Sequence, residues 1–239
     1  MIKIDVLAFA AHPDDAELSC SGTLLKLKAQ GKTTGIIDLT KGELGTRGTP
    51  EIRRQESADA SKILGLSVRE NLDLGDGYFE QDREALHSII RKIRQYQPEI
   101  ILANAVRDRH PDHGRGGDIV SRASFMAGLQ KVETDLDGMP QEPWRPKLIF
   151  RYIQFRYIEP DFVIDITAQM DVKMEAIKAY KSQFFDPNSD EPKTMISSKK
   201  FIDYVAARAR EMGAQIEKEF GEGFTVERTL EVKNLMDHI

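Results

Sequence analysis

One cysteine, one tryptophan and no long apolar run set the first limits on this chain of 239 residues. With Cys20 alone, an intramolecular disulfide is excluded and a reducing compartment is expected. No apolar stretch approaches the roughly 18–20 residues of a membrane span, so no bilayer partner is expected. Positive charge is short as well: Lys and Arg number 34 against 39 Asp and Glu, a net charge of −5. General nucleic-acid binding needs basic patches that displace phosphate counterions, and this balance argues against it. The first residues, Met1–Ala11, superficially resemble a secretion signal ending in small residues. Asp5 interrupts their apolar stretch, and cleavage near Ala11 would part a strand from His12, so the expected location is cytoplasmic.

What is present suits a soluble core: 40% hydrophobic and 31% charged residues. The length reads as one α/β domain over residues 1–239 with a smaller C-terminal extension. Ile4–Ala10 is a near-continuous apolar run, as a central parallel strand covered on both faces requires. Helix-like spacing follows over Ala16–Gln30, then a strand over Thr33–Leu39 and a glycine-punctuated loop, Thr40–Pro50. Glu51–Leu64 reads as a helix closed by Gly65, Asn71–Leu74 as a short strand, and Asp82–Gln97 as a strongly periodic helix ended by Pro98. Glu99–Ala103 is the next strand and Gly116–Lys131 the next helix. Lys147–Ile158 and Phe162–Ile166 read as strands, Asp171–Phe184 and Phe201–Phe220 as helices, and Phe224–Val232 as a last strand. Asp135–Pro146 and Asp186–Lys193 read as loops. Strands alternating with helices predict a Rossmann-like, mostly parallel sheet with helices on both faces.

Two phrases carry the chemistry: Ala11-His12-Pro13-Asp14-Asp15 and His110-Pro111-Asp112-His113. Both follow apolar strands, and ligands in such sheets bind outside the carboxyl ends of the strands. A catalytic zinc takes three N/O ligands and keeps one open position, and His12, Asp15 and His113 supply such a set from two loops. Pro13 and Pro111 stiffen the turns. Asp14 is then placed to take a proton from the activated water, and His110 to stabilise an oxyanion or protonate a leaving amine. Asp112 is expected to orient His110 and favour its charged form. Taken singly, each histidine suits a polar loop and each aspartate a helix N-cap. Taken together, three of five histidines fall in two strand-end motifs, which points to a metal-dependent hydrolase. His87 and His238 read as surface residues.

With these motifs the chain resembles the LmbE-like zinc deacetylases, the PIG-L superfamily, which remove acetyl groups from N-acetylglucosamine conjugates. Further matches are Asp38-Leu39-Thr40 with Gly42-Glu43, Gly48-Thr49 before Arg53 and Glu56, Arg109, Ser182-Gln183-Phe184, and Glu222-Gly223-Phe224. They resemble most the bacillithiol-pathway branch, which deacetylates N-acetylglucosaminyl malate. The resemblance implies Zn2+ (or Fe2+) held by His12, Asp15 and His113, Asp14 as general base, His110 as oxyanion or leaving-group partner, and a homo-oligomer such as a hexamer. Arg53 and Arg109 would face the substrate, since a guanidinium fork suits the carboxylates of malate. Arg47 and Arg54 read as solvated charges. Branch members often carry a tyrosine at the mouth of the site; here Phe201 or Tyr204 stands nearest. The loop glycines lack a dinucleotide or phosphate-loop spacing and read as a rim. Cys20 reads as a small core residue, and Trp144 as a structural residue or a stacking surface. The rival readings are another N-acetylglucosamine substrate such as a chitooligosaccharide, a non-haem iron enzyme built on two histidines and a carboxylate, and a metal-dependent sugar-binding protein without turnover.

Overall fold

A computed structural model describes residues 2–232 together with Asn234 and Met236. The chain runs β1 (Val6–Ala10), α1 (Asp15–Ser19), α2 (Ser21–Ala29), β2 (Thr34–Asp38), α3 (Pro50–Leu64) and β3 (Val68–Asn71). It continues through α4 (Arg83–Tyr96), β4 (Ile100–Ala103), α5 (Pro111–Ala127) and a small hairpin, β5 (Asp135–Leu136) with β6 (Met139–Pro140). The last elements are β7 (Leu148–Tyr152), β8 (Phe162–Asp165), α6 (Met170–Lys178), α7 (Lys199–Ala214) and β9 (Gly221–Val226).

Seven strands form one sheet in the order β3-β2-β1-β4-β7-β9-β8. The first five are parallel, and β9 runs antiparallel to both β7 and β8. The C-terminal extension therefore completes the sheet. All five residues of β1 are buried, as expected for a strand covered on both sides. Leu7 and Phe9 pack with Leu86, Ile89, Ile90 and Ile93 of α4 and Ile119 and Val120 of α5. Val6, Ala8 and Ala10 point the other way, onto Ala16, Leu24, Leu64 and Ala176. This alternation is the period of two in a strand, and it gives each face its own helical layer.

Several boundaries differ from the sequence reading. The single helix over Ala16–Gln30 is two, broken at Cys20 (φ −140°, ψ 8°). Glu222 of β9 caps the second piece, accepting from Gly22 N (2.9 Å), Thr23 N (2.7 Å) and Thr23 Oγ1 (2.6 Å). The strand expected at Asn71–Leu74 lies earlier because Arg69 turns inward, donating from Nε and Nη2 to Asp38 (2.8 and 3.0 Å) and from Nη1 to Glu17. Its polar sequence hides it from a search for apolar alternation. Helix α5 begins at Pro111 rather than Gly116, so the second motif is itself a helix start with proline at its first position. The Lys147–Ile158 strand stops at Tyr152, α6 ends at Lys178, α7 ends at Ala214, and β9 starts at Gly221.

Candidate active site

Strand β1 connects to β2 on one side while β4 lies on the other, so the loops leaving β1 and β4 diverge and open a crevice. The first loop and the start of α1 carry His12, Asp14 and Asp15; the second loop and the start of α5 carry Asp108, His110 and His113. Asn104, directly after β4, ties them together: its Oδ1 accepts from Ala11 N (2.9 Å) and its Nδ2 donates to Asp15 Oδ2 (3.1 Å). Gln154, after β7, donates to Asp15 Oδ1 at 3.0 Å. Asp14 has φ 125°, a positive value that a non-glycine residue adopts only when its surroundings enforce it.

His12 and His113 both face Asp15. His12 Nδ1 lies 3.6 Å from Asp15 Oδ2, and His113 Nε2 lies 3.0 Å from Asp15 Oδ1. The far nitrogen of each ring meets a second carboxylate, His12 Nε2 with Asp76 at 2.9 Å and His113 Nδ1 with Asp108 at 2.6 Å. Such a bond fixes the tautomer that leaves the other nitrogen free to bind a metal. Asp76 and Asp108 were not found by sequence reasoning; Asp108 lies two residues before His110, and only its nearness to the motif hinted at it.

In two groups of side chains, His12–His110–His113 and His12–Asp76–Asp112, the ligand atoms all lie within 4.8 Å of one another. Asp112 is fully buried and does not line the crevice, whereas His12, Asp15 and His113 do. At 3.6 Å, His12 Nδ1 is also too far from Asp15 for the hydrogen bond it would need if Nε2 were the ligating atom. His12, Asp15 and His113 offer the crevice two imidazole nitrogens and a carboxylate, a donor set of the N/O kind that divalent cations take.

The surrounding carboxylates favour the protonated form of both rings, so a cation bound here displaces those protons. Burial alone would lower His12 and His113. Hydrogen bonds to Asp112, Asp15 and Asp76 hold His12 well above its usual value, and the Asp15 charge with bonds to Asp108 and Asp15 brings His113 to about 9. Burial likewise pushes Asp15 upward, but the facing imidazoles hold it well below the ordinary carboxylate range.

Burial lifts Asp14 to about 7, against the attraction of Arg53, whose Nη2 lies 3.7 Å from Asp14 Oδ2. His110 caps α5, its Nδ1 accepting from Asp112 N at 3.3 Å. Its side chain does not meet the Asp112 carboxylate. That carboxylate accepts from Gly77 N (2.8 Å) and lies 3.5 Å from His12 Nε2. Burial and the neighbouring His12 and His113 charges hold His110 below its usual value. Asp112 orients His110 through its backbone N–H, and its charge raises His110 against the larger effects of burial and the two neighbouring imidazoles.

These groups line a cleft of about 370 Å³. Arg53 is buried in its wall, and a Cβ at Gly42 (φ 66°) would fall 1.9 Å from Arg53 Nη1, so a bare glycine is what admits the guanidinium. Arg109 is exposed at the rim, 5.5 Å from the Phe155 ring centre. Arg47 is not a solvated charge. It is buried and donates to Ser182 O (2.6 Å), Pro192 O (3.1 Å) and Ser189 Oγ (2.9 Å), clamping the glycine-rich loop onto the 182–192 segment. Phe201 and Tyr204 both reach the cleft, and the Tyr204 hydroxyl donates to Phe155 O at 2.6 Å. Trp144 donates to Pro98 O (2.8 Å) and packs in the core, a structural residue, as does Cys20. His238 lies outside the described residues.

A search among protein families matches residues 7–124 to PIG-L, the GlcNAc-PI de-N-acetylase family. The diacetylchitobiose deacetylase of Thermococcus kodakarensis is 29% identical over 75% of this chain and 70% of its own. An uncharacterized deacetylase of Escherichia coli, YaiS, is 30% identical over 74% of this chain and 90% of its own. A probable N-acetyl-alpha-D-glucosaminyl L-malate deacetylase of Bacillus subtilis is 28% identical, covering 76% and 84%. The crystal structure of the conserved protein TT1542 from Thermus thermophilus superposes with a TM-score of 0.84 at 35% identity, covering 96% of this chain and 98% of that one. The chain belongs to the PIG-L family and is an enzyme of its N-deacetylase class. A 4-oxalmesaconate hydratase of Pseudomonas putida is 27% identical over 74% of this chain and 73% of its own, so the fold is not confined to one reaction. Among the described residues no helix is long and apolar enough to cross a membrane.

Proposed function

We propose that the chain hydrolyses the acetamide of an N-acetylglucosamine conjugate, most readily one whose aglycone is anionic, with N-acetylglucosaminyl malate as the leading substrate. The observation that carries this reading is the convergence of His12 and His113 on Asp15 while Asp14 and His110 flank them in the same cleft. Zn2+ is the ion that best suits two imidazoles and a carboxylate, held by His12, Asp15 and His113 with Asp76 and Asp108 behind the rings. When bound, it supplies Lewis-acid polarisation and lowers the pKa of water toward about 7.

The chain's own groups do the rest. Asp14, lifted to about 7 by burial, takes a proton from the attacking water. His110, whose Nδ1 accepts from Asp112 N, donates a hydrogen bond from Nε2–H to the acetamide oxygen as charge develops there. The C–N bond then breaks, Asp14 returns its proton to the nitrogen, and acetate and a free amine leave. Arg53 holds Asp14 in place and screens its charge. Arg109, exposed at the rim, is placed to meet a substrate carboxylate. The test is acetate release from N-acetylglucosaminyl malate, diacetylchitobiose and plain N-acetylglucosamine, with and without a chelator. Chelator-sensitive release, fastest from the malate conjugate, supports the reading; no release from any of the three contradicts it. Homo-oligomeric assembly, up to a hexamer, is checked by sedimentation velocity, where a monomer at micromolar concentration would dismiss it.

A further inference from the structure

Of the arginines lining the cleft, Arg47 is spent on the 182–192 segment and Arg53 faces Asp14. Arg109 is exposed, where water satisfies its donors. Arg208 is different. It stands on the face of α7 that also brings Phe201, Tyr204, Val205, Ala209 and Met212 to the cleft, the spacing of one helical stripe. Its Nη2 is buried and has no hydrogen-bond partner among the described residues. No carboxylate lies within 4.0 Å of its guanidinium in the same set, although the Tyr204 hydroxyl, Asp108 and Glu211 are near enough to act on its charge. Both Asp108 oxygens are already engaged, by His113 Nδ1 (2.6 Å) and Arg156 N (2.6 Å). A buried guanidinium nitrogen left without an acceptor is costly to keep unless something arrives to complete it.

We propose that Arg208 is a specificity-determining residue of this cleft, receiving an oxyanion carried by the substrate beyond the acetylated amine. This rests on the deacetylase reading only for where the rest of the substrate sits; the anion site itself stands on Arg208. A guanidinium fork matches a carboxylate or a phosphate in two parallel hydrogen bonds, and a neutral sugar offers neither. Its place among apolar neighbours on α7 strengthens the contact by excluding water.

The test compares wild type with Arg208→Gln and Arg208→Lys. Hydrogen bonds to charged groups contribute about 1.5–3 kcal/mol, so Arg208→Gln is expected to raise KM for N-acetylglucosaminyl malate about 10- to 100-fold. Both kcat for that substrate and KM for neutral diacetylchitobiose should stay within about twofold, and Arg208→Lys should fall between. N-acetylglucosamine 1-phosphate tells phosphate from carboxylate: a larger KM penalty for it than for the malate conjugate assigns the site to phosphate. The melting temperature of Arg208→Gln should stay close to that of wild type, so that a change in KM reports binding and not unfolding. In parallel, free L-malate and inorganic phosphate are titrated against both proteins without turnover. One of them should raise the wild-type melting temperature and leave Arg208→Gln unmoved. Equal losses on charged and neutral substrates, or no stabilisation of wild type by either anion, would overturn the proposal. An anion effect lost in Arg208→Gln together with no acetate release by wild type would sink the deacetylase reading and leave the anion site standing.

Discussion

Asp14 and Asp15 are neighbours in sequence with opposite fates. Asp15 is drawn below the carboxylate range by two imidazoles, while burial lifts Asp14 to about 7. One suits a ligand and the other a base, because a ligand must stay ionised and a base must exchange a proton near neutrality. Asp14→Asn should therefore keep its metal, measured by elemental analysis, while kcat falls about 10²–10⁴-fold. Near-normal turnover would remove Asp14 from the chemistry. Asp76 and Asp108 act one step further out. Asp108→Asn and Asp76→Asn should each weaken zinc binding about 10- to 100-fold in a competitive chelator titration, with less effect on kcat once the site is saturated.

At the scale of elements, the joints between β9, α2 and α6 carry much of the construction. Lys173 donates to Glu222 Oε1 (2.6 Å) and Leu18 O (2.9 Å), and both side chains are almost wholly buried. Glu222→Ala uncaps α2 and leaves that ammonium without its partner, so unfolding should be easier by about 3–5 kcal/mol in a denaturant titration. The start of β1 holds a pH-dependent joint. Thr33 N and Oγ1 each donate to Asp5 Oδ2 at 2.8 Å, and these bonds hold the Asp5 carboxyl below its usual 3.8. A carboxyl depressed in the folded state adds stability above its unfolded pKa and loses it as pH falls through the folded one. Asp5→Asn should thus be less stable than wild type at pH 7, and the gap should close on acidification below the usual carboxylate range. Long amphipathic elements such as α4 were legible because period and burial coincide, and a proline closes the pattern. Polar β3 was not, since its burial comes from the Arg69–Asp38 pair rather than apolar alternation. The break at Cys20 was hidden because its cap, Glu222, lies 200 residues from Gly22 in sequence.

For the molecule as a whole, the parallel half of the sheet places two motif loops on either side of a crevice, and the antiparallel C-terminal strands extend the sheet while α7 supplies one wall of the cleft. Sequence spacing could place His12, Asp15 and His113 at strand ends. It could not reveal Asp76 behind one ring, nor the real engagement of Asp112, because those contacts join segments with no shared pattern. The sharpest test of the account is zinc-edge X-ray absorption on the reconstituted protein. It should report a sulfur-free shell with two imidazoles per ion, as His12 and His113 require; a shell with one imidazole, matching His12 with Asp76 and Asp112, would contradict it.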